Sequence, residues 1–89
     1  MIDDNAHPRV ALEELVGVIG ASVGDEKARE VLVDAARRNG VDPRAMTRDE
    51  ALGLLATLAE TPGIIGVTSR FGRSRLLLKW ARDNLRAFR

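Results

Sequence analysis

Apolar residues return every three or four positions along almost the whole chain, the spacing of a helix face rather than the alternation of a strand. From Arg9 onward, Leu12, Leu15, Val16, Ile19 and Val23 share one side and predict a first helix over about 9–22. Glu13 and Glu14 fall in its early turns, where the helix dipole favours negative charge. Residues 1–8 read as a flexible lead-in, with Pro8 suited to a first turn and Asn5 to a cap. Gly17 and Gly20 weaken this helix by about 1 kcal/mol each relative to Ala, which points to close contact with a neighbour or to a stretch able to loosen.

The stretch GDEKAREVLVDAARRNG predicts a second helix, capped by Gly24 or Asp25 and closed by Asn39-Gly40. Its apolar face (Ala28, Val31, Leu32, Ala35, Ala36) is narrow and small, which implies close packing. In MTRDEALGLLATLAETPG, Thr47 followed by Glu50 is a capping-box pattern. Ala51, Leu52, Leu54, Leu55, Leu58 and Ala59 spread around most of the third helix, so it is expected to be the most buried and central. Pro62-Gly63 ends it.

A fourth helix starts near Gly63 or Ile64 and reaches toward Phe88. Ile64, Val67, Phe71, Ser74, Leu78, Ala81, Leu85 and Phe88 alternate spacings of three and four and form a continuous seam, while Gly66 and Gly72 leave open a kinked pair of helices. Leu76 and Trp80 lie well over 90° away from that seam. If the helix packs through the seam alone, Trp80 is exposed; burial on two sides, with Trp80 under the first helix, is the structural alternative. The pattern as a whole predicts one all-α domain over 1–89, a small antiparallel four-helix bundle with a long, basic C-terminal helix.

Composition narrows the chemistry. Apolar residues are 45% and charged residues 30%, suited to a folded domain, and the aromatics are only Phe71, Trp80 and Phe88, so aliphatic side chains must build the core. The absence of cysteine removes disulfides, thiolate metal cages and thiol nucleophiles and fits a reducing compartment, with the cytoplasm as the expected location. No signal-peptide pattern opens the chain, and no run of about 18 apolar residues exists to span a bilayer. His7, the one histidine, sits in the lead-in, where a general base would be poorly held. Asp42, Asp49 and Glu50 lack the spacing of a calcium loop. GVIGASVG lacks the lysine and hydroxyl of a phosphate loop. No catalytic, metal or cofactor-binding residue is expected, nor an enzyme.

Charge is distributed unevenly. Residues 70–89 hold seven basic groups against the single acid Asp83, while residues 1–69 hold seven against twelve acids. On a helical projection Arg75, Lys79, Arg82, Arg86 and Arg89 fall within about 80° and form a stripe beside the seam. The stripe can neutralise the acidic helices of its own chain, dock an acidic protein, or meet phosphates at a membrane surface or on a nucleic acid. The favoured expectation is a non-enzymatic protein–protein interaction module, regulatory or adaptor in type. It offers Arg75, Leu76, Lys79, Trp80, Arg82 and Arg86 to an acidic partner or a second copy. The alternative is a nucleic-acid binder using the same stripe, with SRFGRSR near the start of a recognition helix.

Overall fold

Helix boundaries follow local chemistry closely. The computed structural model describes residues 9–87, with side chains through residue 83, and the chain forms α1 (Leu12–Val23), α2 (Asp25–Asn39), α3 (Arg48–Ala59) and α4 (Ile64–Ala87). The capping box at α3 is complete. Thr47 Oγ1 accepts from the Glu50 amide at 3.0 Å, and the Glu50 carboxylate accepts from the Thr47 amide at 2.8 Å. Gly40, with φ 67°, takes the left-handed conformation that closes α2 after Asn39.

α1 starts later than its apolar pattern alone predicts, because the residues before it are held extended. The Val10 amide donates to the Met46 carbonyl at 2.8 Å and the Met46 amide donates back to Val10 at 3.1 Å, an isolated antiparallel bridge. Val10 and Met46 are both buried, so this bridge ties the segment just before α1 and the α2–α3 connection into the core. The lead-in, with Asn5, His7 and Pro8, lies outside the described residues.

The helices close a ring: α1 packs on α2, α2 on α3, α3 on α4, and α4 back on α1. The result is an all-α antiparallel bundle around one core in which Leu15, Ile19, Leu32, Met46, Leu54, Leu55 and Leu76 are fully enclosed. The expectation of a central α3 is corrected by this arrangement. In a ring of four each helix buries one face, and α3 turns Gly53 and Ala56 to solvent while Leu52 and Ala59 are half-buried.

α4 is one continuous helix of 24 residues, twice the 12 of α1 or α3. At 1.5 Å per residue it runs roughly 36 Å, close to the 40 Å long axis of the molecule. Its glycines do not break it, because they serve close approach. A Cβ on Gly72 would lie 2.5 Å from Val18 Cγ1 of α1, and one on Gly66 would strike the Thr61 carbonyl in the α3–α4 turn.

Candidate functional site

The packing of α4 divides it into two faces, and the division reverses the expected one. Ile65, Gly66, Ser69, Gly72, Leu76 and Trp80 also recur at spacings of three and four, and this is the face that turns inward. Its small residues let α1 and α3 approach the α4 backbone, while Leu76 and Trp80 fill the space farther along. Leu76 is 2% exposed and Trp80 7%. The Arg48 guanidinium, at the start of α3, lies 4.8 Å from the centre of the Trp80 ring and covers it. Leu76 and Trp80 are therefore core residues, and their place in an accessible docking patch is withdrawn.

The described part of the seam expected to be the core faces outward instead, while the Leu85 side chain and all of Phe88 lie outside the described residues. Ile64 is 60% exposed, Val67 47%, Phe71 67% and Leu78 65%, with Ser74 and Ala81 exposed between and beyond them. The alternative of two-sided burial is right that Trp80 is covered, but among the described residues α4 is covered only on the side opposite this seam. Four large apolar side chains lie in a strip along one face of a single helix, with Ser74 between Phe71 and Leu78 and the partly exposed Leu77 at the edge, unlike the scattered exposed apolar residues of an ordinary surface.

Cations border the strip. Arg70 lies along one edge, and Arg75 and Arg82 along the other; all three are exposed, and none makes an ion pair among the described residues. Lys79 is the only described member of the basic stripe that reaches an acid, Glu14 of α1, at 3.5 Å. The Arg86 side chain and all of Arg89 lie outside the described residues. Acids of the body pair with its own bases: Arg29 with Glu13 at 2.8 Å, Arg38 with Asp34 at 2.7 Å, and Lys27 with Glu30 at 3.1 Å. Neutralisation of the stripe by the acidic helices thus amounts to a single contact among the described residues.

Alongside the strip, a groove of about 420 Å³ runs between α1 and α4, with Val18 and Leu78 on its apolar wall and Glu14, Arg75, Lys79 and Arg82 around it. It joins an apolar surface to a local excess of positive charge. An electrostatic perturbation lies away from it, between α1 and α2. There the hydrogen bonds from the Arg29 guanidinium hold the Glu13 carboxyl below its ordinary value and raise Arg29 above its own. Among the described residues no group of three His, Cys, Asp or Glu is placed to hold a metal ion, and no helix is long and apolar enough to cross a membrane.

No protein-family model, curated protein or solved structure matches this chain.

Proposed function

We propose that this chain is a small, non-enzymatic protein–protein interaction module, regulatory or adaptor in type, that docks through the outer face of α4. The observation that carries the reading is the exposure of Ile64, Val67, Phe71 and Leu78 on one helix face. Burying a side chain of this kind fully is worth about 1.5–3 kcal/mol, a gain the isolated domain leaves largely unused on this face and a partner can supply. Arginines at the rim, Arg70, Arg75 and Arg82, are of a residue type enriched at interfaces. A cysteine-free chain suits a reducing compartment, so the reading places the module in the cytoplasm.

The exposed arginines favour one second reading, a nucleic-acid binder. Two features weigh against it. The first residues of α4, where a recognition helix presents its base-reading side chains, are Ile64, Ile65, Gly66 and Val67, which offer no side-chain donors. Phosphate contact would also leave the apolar strip uncovered.

In-cell photo-crosslinking tests both readings. With a benzophenone amino acid in place of Phe71, the docking reading expects discrete protein adducts that are absent when the probe replaces exposed Glu30 on α2. Adducts with nucleic acid, or a Phe71 pattern no different from that of Glu30, would refute it.

A further inference from the structure

The geometry points to the class of partner: an acidic amphipathic helix of another protein, laid along the strip of α4, and neither a second copy of this chain nor a lipid surface. The inference rests on the docking reading and adds the occupant.

Spacing selects a helix. Ile64, Val67, Phe71, Ser74, Leu78 and Ala81 alternate steps of three and four, an average period of 3.5, which keeps a narrow strip in register with a second helix winding beside it. Large side chains (Ile64, Phe71, Leu78) occupy one set of positions. Farther along, the alternate set is small, Ser74 and Ala81, so Phe71 and Leu78 are knobs and the spaces over Ser74 and Ala81 receive large residues of the partner. Insertion into a membrane interface asks for a broader apolar face. Here the strip is interrupted by Ser74, and Trp80, the chain's one tryptophan, is turned inward.

Charge selects the sign and excludes self-pairing. The charged positions flanking the strip are Arg70 on one side, in line with the partly exposed Leu77, and Arg75 and Arg82 on the other, while Asp83 lies toward the opposite side of the helix. Parallel pairing of two copies would set Arg70 of one against Arg75 of the other; antiparallel pairing would set the row of Arg75 and Arg82 against itself. Either arrangement brings like charges together with no flanking acid to relieve them, a repulsion that disfavours the pairing. A partner carrying Glu or Asp at its own flanking positions turns each of these contacts into attraction. The groove beside Leu78 gives such carboxylates a place to sit between Arg75 and Arg82, since Lys79 is already engaged by Glu14.

Two labelled synthetic peptides test this, each of roughly four heptads with Leu at the seam positions, one flanked by Glu and the other by Lys. Binding to the full chain is read by fluorescence anisotropy, at low and at physiological salt. The expected result is at least about tenfold tighter binding of the Glu peptide, weakened by salt, with the preference inverted by Arg75→Glu/Arg82→Glu. Trp80 emission shows that the variant is folded, because the ring lies on the inner face. Equal binding of the two peptides, or preference for the Lys peptide, overturns the acidic partner and leaves docking intact. So does sedimentation of the chain as a dimer that excludes both peptides. Binding to phosphatidylserine vesicles with no binding of either peptide, or no binding of any probe by a monomeric chain, overturns the docking reading as well.

Discussion

The inner and outer faces of α4 carry comparable apolar residues at comparable spacing, yet one is core and the other surface. Inside are Ile65, Leu76 and Trp80 with Gly66, Ser69 and Gly72; outside are Ile64, Val67, Phe71 and Leu78. The outer face has the more continuous run of large side chains. What separates them is shape. Gly72 permits α1 to bring Val18 and Ile19 onto the α4 backbone, an approach that a row of Phe and Leu would block. Burial in this bundle follows complementarity to the neighbouring helices. The apolar mass left outside is only partly covered in the isolated domain, and the proposed docking rests on it.

That contrast can be broken from the inside first. Trp80→Ala should cost about 3–5 kcal/mol and Leu76→Ala about 2–5 kcal/mol, a large part of the 5–15 kcal/mol typical of a domain. Chemical denaturation followed by circular dichroism measures both, and losses below about 1 kcal/mol would place these residues at the surface after all. Gly72→Val should follow, at about 1–3 kcal/mol or more, because its side chain meets Val18; the same unfolding assay reads it, and tolerance would mean that α1 and α4 are farther apart than described. Ser69→Ala has the opposite sign. The Ser69 hydroxyl is buried without a hydrogen-bond partner among the described residues, so removing it should be neutral or stabilising by up to about 1 kcal/mol, and a clear loss would reveal a hidden partner.

On the outer face, Phe71→Ser and Leu78→Ser should each change stability by no more than about 0.5 kcal/mol while weakening any complex. The smallest effect expected is a control remote from α4. With the Glu13 carboxyl held below its ordinary 4.5 by Arg29, the pair's contribution is complete above that pH and is lost as the pH falls through the lower folded value. Arg29→Ala should therefore return the Glu13 titration, followed by NMR, toward 4.5, and an unmoved titration would mean the two side chains are apart in solution.

Much of the architecture is legible in the residues. The Thr47/Glu50 capping box, the Asn39-Gly40 stop and the apolar face of α1 each follow from local chemistry that tertiary packing did not override. The orientation of α4 does not, because two apolar sets with the same three-and-four spacing run along one helix, and counting large residues favours the wrong one. Gly66, Ser69 and Gly72 held the missing signal: small residues at helical spacing, in line with Leu76 and Trp80, mark where another helix comes close. Arg75, Lys79 and Arg82 were identifiable from charge alone, since a basic stripe flanks the strip whichever way the helix turns. The exposure of Phe71 and Leu78 required the neighbours to be in place.

Thermal unfolding of the double variant Phe71→Ser/Leu78→Ser, followed by Trp80 fluorescence, tests the division of α4 most directly. A 1 kcal/mol change moves the midpoint of a domain this size by about 4–8 °C. The outward strip predicts a midpoint within that interval of the parent, with Trp80 emission unchanged before melting. A fall comparable to that of Leu76→Ala, or a red-shifted Trp80 at ambient temperature, would show that the strip is core and that the outer face of α4 is not a docking surface.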